Sequence, residues 1–245
     1  ADGRTITARR AVIANVAPGA LPGLTGTDSA FDRRLSAYTH APGTMMIHLA
    51  LSDLPAWPDP ALRDYAYVHL AADLDQMART YAQAQAGLLP DAPILVVGQP
   101  TRYDPSRAPE GKHTLWVQVR MCPGTIRGDA GGEIAATDWA EAAEPFAARA
   151  LAILEAHAPG TTARILAKRI VPPTDLAADN PNLVGGDQLC GSHHLAQHFL
   201  FRPLRGHADG STPIRNLHLT GAAVWPGAGL GAGAGFLLAE RLAGK

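Results

Sequence analysis

The chain has 245 residues, 47% of them hydrophobic and 18% charged, enough apolar material for one large domain or two smaller ones with real cores. Its 21 Lys and Arg against 22 Asp and Glu leave a net charge of −1, which excludes the basic footprint of a nucleic-acid binder. Two cysteines, Cys122 and Cys190, exclude a disulfide framework and suit a reducing cytoplasm.

No charged n-region followed by an apolar h-region opens the chain, so no signal peptide is expected at its start. Asp2-Gly3 is the turn chemistry of a tight hairpin and stands before the β-prone run Arg4 to Thr7, yet only Ala1 precedes it. The expectation is a chain that continues something longer on its N-terminal side; a clipped methionine and a frayed terminus are the alternative. Ala11 to Asn15 reads as a buried strand stopped by Pro18, and "DSAFDRRLSAY" as a helix. Strands follow at Thr44 to Leu54 and Tyr65 to Ala71. The next segment is a helix with an Asp cap, apolar spacing through Leu74, Met77 and Tyr81, and a stop at Gly87.

"PILVVGQP" and "HTLWVQVRMCP" are strands separated by a turn-rich loop. The longest helix is expected to be capped by Thr137 and ended by Pro159 and Gly160, with a kink or restart at Pro145. Strands and helices that mix without strict alternation predict an α+β domain on a largely antiparallel or mixed sheet. From Val171 to Thr212 the chain turns Pro-, Gly- and His-rich, the mark of a functional stretch or a linker.

The last segment places six glycines among the fifteen residues Gly221 to Gly235. Leu217 to Ala239 lacks formal charge, and Gly227, Gly231 and Gly235 have G-x-x-x-G spacing, so a membrane span is one reading; Pro226 and the glycines weaken it. A dinucleotide βα unit is another, since Gly227-x-Gly229-x-x-Ala232 follows a strand and opens a helix. That unit needs a second strand ending in an acidic residue, which the remaining chain does not supply. The third reading is a strand, a glycine turn and a helix starting near Gly229 that aim N–H groups and a positive dipole end at one point. It suits an electron-rich part of a cofactor whose other half is held elsewhere.

"IRNLHLTGAAVWPGAGLGAGAGFLLAERL" resembles the C-terminal flavin-binding segment of the phytoene desaturase-like FAD-dependent oxidoreductases, relatives of the flavin amine oxidases. "DGRTITARRAVIANVAP" is similar to the strand pair leading from the family's FAD domain into its substrate domain. "NPNLVGGDQLCGSHHLAQHFLFRP" is similar to the segment before its last strand. The resemblance implies a strand pair returning to the FAD domain at 1–36, a mixed-sheet substrate-binding domain at 37–175, and a C-terminal segment of a Rossmann-like FAD domain at 176–245. It implies FAD as cofactor, with Gly221 and Ala222 beside the ribityl and pyrophosphate, and Gly229 and Leu230 presenting N–H groups to the pyrimidine edge of the ring. Gly227 and Ala232 complete the turn. It also implies a hydrophobic substrate giving hydride to the flavin, with room for peripheral contact with a membrane. An alanine, Ala222 or Ala223, stands where many amine-oxidase relatives carry an acid, and Trp225, read mainly as core, precedes the Pro-Gly turn.

The family's N-terminal ADP-binding strand, glycine turn and helix have no counterpart at the front of this chain. The isolated chain is therefore expected to lack a complete FAD site and to be inactive alone. A non-catalytic subunit that pairs with a separate nucleotide-binding chain is the alternative, and a binding protein without redox work a third.

His193, His194 and His198, with Asp187 or Cys190, invite a metal reading, but without H-E-x-x-H no metal site is assigned. On the flavin reading His193 and His194 are candidates to orient the substrate or redox partner. Ser192 beside His193 makes no triad without G-x-S-x-G, and Arg202-Pro203 reads equally as a cation near the cofactor or a surface ion-pair partner.

Overall fold

The computed structural model describes residues 3–229 and 232–244. In chain order its strands are β1 (Val12–Ala14), β2 (Gly43–Leu51), β3 (Tyr67–Leu70), β4 (Leu88–Leu89), β5 (Ile94–Gly98), β6 (His113–Cys122), β7 (Gly128–Asp129), β8 (Ile165–Val171) and β9 (Leu217–Leu219). The α-helices are α1 (Leu21–Thr25), α2 (Ala30–Ser36), α3 (Leu74–Gln85), α4 (Trp139–His157), α5 (Pro173–Asp179) and α6 (Gly233–Leu242). The chain divides into two units: Ala1–Ala41, Asn182–Val184 and Leu189–Lys245 form the first, and Pro42–Pro181 and Gly185–Gln188 the second.

The second unit is built on a five-stranded sheet in the order β3-β5-β6-β2-β8, antiparallel at every junction. Alternation explains its two faces. Met45, Ile47, Leu49 and Leu51 of β2 and Leu115, Val117 and Val119 of β6 are buried in one cluster with Phe146, Ala150 and Leu154 of α4. Burying a side chain such as Phe146 stabilises by roughly 1.5–3 kcal/mol. The opposite face carries His48 between its register partners Trp116 and Arg169. Burial and then the charge of Arg169 push the His48 pKa down.

Trp116 lies over Gly98, where an added Cβ would come within 2.1 Å of the indole, and its ring centroid is 5.2 Å from that of Tyr67. Glycine on β5 thus makes room for an aromatic on β6.

Asp73 caps α3 by accepting from Gln76 N–H, as its sequence suggests, and Gly87 adopts φ +83 just beyond the helix end. Two details of α4 differ from expectation. Its cap is Asp138, which accepts from Glu141 N–H, not Thr137, and the helix does not restart at Pro145 but continues through it. A missing amide removes one backbone bond, and the packed face of Ala142, Phe146 and Ala150 holds the turns on either side together.

In the first unit β1 and β9 pair in parallel, Ala14 opposite Leu219. Leu21, Phe31, Leu35, Leu219, Val224 and Ala234 form its buried cluster, so α1, α2 and α6 all close on this pair. Ser29 and Asp32 cap α2 reciprocally. The Arg4 to Thr7 run carries no strand; of the expected N-terminal strand pair only β1 forms, and its partner is β9. Asp2 lies outside the described residues.

The glycine-rich end of the chain is a three-residue strand, a turn and a ten-residue helix. Among the described residues no helix is long and apolar enough to cross a membrane.

Candidate functional site: a glycine-lined cavity

Because β1 and β9 run in parallel, the chain leaves both at the same end, and Thr220 N–H still donates to Ala14 O at 3.0 Å. The carboxyl ends of parallel strands are where open α/β sheets bind ligands. Asn15 follows β1 there, and Gly221 follows Thr220. Gly221 has φ +97, and a Cβ on it would stand 2.0 Å from Asn15 Oδ1. Glycine is therefore required twice over, by the backbone angle and by the neighbour.

The chain then turns tightly. Val224 N–H donates to Gly221 O at 3.1 Å and Gly227 N–H to Val224 O at 2.7 Å, with Gly227 at φ +98. α6 begins at Gly233 rather than near Gly229, because Ala232 takes a left-handed conformation, φ 49, at the N-cap. Gly233 itself packs on Pro226, whose Cγ would lie 2.7 Å from an added Cβ.

This turn encloses a cavity of about 300 Å³. Gly221, Ala222, Gly227, Gly229 and Ala232, five of the six residues expected to touch a cofactor, line it together with Asn15, Thr220 and the first turn of α6. The sixth, Leu230, lies outside the described residues. No side chain caps α6, so the amides of Gly233, Ala234 and Gly235 bring the positive end of a helix dipole to the cavity. Thr220 Oγ1 is buried there without a hydrogen-bond partner. A hydroxyl left unsatisfied costs roughly 1–3 kcal/mol unless something supplies the missing bond. The cavity is thus shaped and polarised for an electron-rich group that approaches backbone closely.

Arg202 is the feature that sequence reading undervalued. It is fully buried, not a surface ion-pair partner. Its Nε donates to Ala222 O at 2.9 Å, Nη1 to Ser192 O at 3.0 Å, and Nη2 to Leu189 O and Cys190 O, each at 3.1 Å. The guanidinium also lies 5.9 Å from the ring of Tyr38, whose hydroxyl donates to Cys190 O at 2.9 Å. Nothing local in "FRP" marks such a role, since every acceptor is a carbonyl distant in sequence.

His193 and His194 are exposed and do not line the cavity. The His193 ring meets that of His198 at 5.2 Å, and His194 precedes a 3₁₀ turn, Leu195–Gln197, with its N–H donating to Ser192 Oγ at 3.2 Å. Among the described residues no group of three His, Cys, Asp or Glu side chains is placed to hold a metal ion. Trp225 is half-buried and outside the hydrophobic clusters, with its ring 5.4 Å from that of Phe199. The second unit has hollows of its own, such as one of about 280 Å³ beside Asp73 and His157, but they carry none of the glycine machinery.

No family model matches the chain. It is 29% identical over 216 residues to the mouse pyridine nucleotide-disulfide oxidoreductase domain-containing protein 2, an alignment covering 84% of this chain and 36% of that protein. A phytoene dehydrogenase of Streptomyces griseus is 30% identical over 209 residues, 84% of this chain and 37% of the relative. A phytoene desaturase of Fusarium fujikuroi is 29% identical over 154 residues, 58% of this chain and 26% of the relative. The chain thus spans between a quarter and two fifths of the length of these curated relatives. Its fold is similar to that of an oxidoreductase from Methanosarcina mazei, with a TM-score of 0.50 and 14% identity over all of this chain and 44% of that one. In sequence the chain is thus similar to part of the phytoene-desaturase-like oxidoreductases.

Proposed function

We propose that the chain is the C-terminal part of a flavin-dependent desaturase or dehydrogenase, in which residues 37–175 hold the substrate and 1–36 and 176–245 complete a Rossmann-like FAD domain. The observation that carries the reading is the cavity at the ends of β1 and β9, lined by five glycine-turn residues and supplied with an uncapped helix N-terminus and an orphan hydroxyl. Its volume of about 300 Å³ suits one portion of a dinucleotide, so the adenosine half is to be held by protein outside these residues.

FAD fits the residues present. Gly221, Ala222 and Gly227 let a ribityl chain or pyrophosphate lie against backbone, Gly229 leaves open space where a side chain would begin, and Thr220 Oγ1 is free to hydrogen-bond it. A bound flavin would supply a two-electron acceptor for hydride from a substrate C–H bond. The chain itself contributes orientation, a positive dipole and exclusion of water.

The substrate is proposed to be a hydrophobic small molecule. On the open face of the second unit's sheet Tyr67 and Trp116 pack side by side among polar neighbours such as His48 and Arg169, and this aromatic pair is the part proposed to meet an apolar substrate. His193 and His194, exposed and outside the cavity lining, are proposed to orient substrate or redox partner. The exposed Leu195 and Leu200 beside them make peripheral contact with a membrane part of the same proposal.

The test is the visible spectrum of the full-length gene product beside that of this chain. Flavin bands in the longer protein support the reading; a colourless longer protein that takes up no added FAD overturns it. Thr220→Val sharpens the test. Removing an unsatisfied hydroxyl should leave the ligand-free chain as stable as before or about 1 kcal/mol more stable in thermal melts, while weakening FAD affinity about tenfold. A hydroxyl that is merely mispacked would give the first effect without the second.

A further inference from the structure

We infer that Arg202 is a positioning residue that gives the glycine cavity a fixed positive charge and so favours an electron-rich or anionic group against its wall. The inference rests on the proposal that a flavin occupies this cavity.

Three observations meet at this side chain. Arg202 is fully buried, and its four hydrogen bonds all run to main-chain carbonyls. A carbonyl is a dipole without net charge, so these four acceptors solvate the guanidinium and leave its charge in place. A buried charge in that state is costly, and it is normally found where something of opposite sign is met.

The charge also lies directly behind the cavity. Nε holds the carbonyl of Ala222, and a Cβ on Gly227 would stand 3.5 Å from Arg202 Cδ and Nε; Ala222 and Gly227 both line the hollow. Only one layer of backbone separates guanidinium from ligand space. The uncapped N-terminus of α6, which also lines the cavity, contributes the same sign.

The planar fork explains why arginine serves here. It binds the carbonyls of Leu189, Cys190 and Ser192 on one edge and Ala222 on another, tying the loop before it to the turn after β9. An ammonium keeps the charge but has no fixed fork. Structural and electrostatic roles are therefore separable by substitution.

The experiment uses the full-length, flavin-loaded protein with Arg202→Met and Arg202→Lys, reading flavin content, melting temperature and the midpoint potential of the bound flavin. Both variants should melt lower than the parent. Arg202→Met should shift the oxidised-to-reduced equilibrium at least tenfold towards the oxidised form, about 30 mV for a two-electron couple, and Arg202→Lys, which keeps the charge, should stay close to the parental potential. Loss of flavin from the methionine variant with retention by the lysine variant supports the inference equally.

An unchanged potential in Arg202→Met at a lowered melting temperature overturns it and leaves Arg202 a scaffold residue, as does loss of flavin from both variants. Where the methionine variant does not fold, Arg202→Lys decides: a parental potential supports the charge role, and a tenfold shift overturns it. Absence of flavin from the parent protein defeats the cofactor reading itself, and this inference with it.

Discussion

Gly221→Val is expected to abolish flavin retention by the full-length protein and to lower its melting temperature. A β-branched residue at φ +97 costs roughly 1–3 kcal/mol in backbone strain alone. The new Cβ would also stand 2.0 Å from Asn15 Oδ1, displacing the residue that leads out of β1 beside the cavity. Gly229→Ala gives the informative contrast, because among the described residues nothing lies within 4 Å of its would-be Cβ and its φ is outside the left-handed region. That chain should melt like the parent, so any fall in flavin content reports contact with the cofactor rather than damage to the fold. Absorbance of the bound flavin and a thermal melt, recorded on both variants, check the pair. A Gly221→Val protein that stays yellow would place the cofactor elsewhere.

The largest stability effect is expected in the second unit, where Asp129→Asn should cost roughly 3–5 kcal/mol. The Asp129 side chain is almost wholly buried; both its oxygens accept from Arg149, each at 2.7 Å, and Oδ2 also accepts from the amides of Glu133 and Ile134 at 2.9 Å. Arg149 extends the link by donating to Pro90 O at 2.9 Å, so β7, α4 and the segment after β4 depend on one carboxylate. An asparagine removes the buried carboxylate from Arg149 and leaves it only the longer contact with the exposed Glu133 at 3.3 Å and the Pro90 carbonyl.

The same contacts set a pH dependence. Burial alone would raise the Asp129 pKa, but the bonds from Arg149, those from the Ile134 and Glu133 amides and the charge of Arg149 outweigh it and hold the carboxyl well below its ordinary value of 3.8. A folded-state pKa below the unfolded one means that the native state binds protons less readily. The stabilisation is therefore present above pH about 4 and is lost as pH falls towards the depressed value. Urea denaturation at pH 7 and at pH 3 should show the gap between parent and Asp129→Asn narrowing at the lower pH. An equal gap at both would show that the charge of Asp129 is not what is lost.

Much of the second unit was legible along the chain. Alternation in β2 marks Met45, Ile47, Leu49 and Leu51 as one face, and the side-chain period of two leaves no other register that buries them together. The Asp73 cap and the left-handed Gly87 that bound α3 are local chemistry, readable within a few residues. The positions that line the cavity were marked by their glycines, because a strand followed by residues without side chains limits what can lie against them.

What the sequence by itself determined, then, was the alternating core face of the second unit's strands and the glycine stretch that leaves backbone bare; β1, read as a buried strand, exposes Val12 and Ile13, and the apolar row Leu74 and Met77 of α3 faces outward. Tertiary structure decided the rest: that β1 pairs with β9 rather than with the run before it, that α6 waits until Gly233 packs on Pro226, and that Arg202 is buried under Ala222 and Gly227. Each of these depends on partners far apart in the chain, whereas periodicity, caps and backbone angles report only on neighbours. A guanidinium whose acceptors are all carbonyls leaves no residue-type signature at the other end of its bonds, and so only the folded chain reveals it.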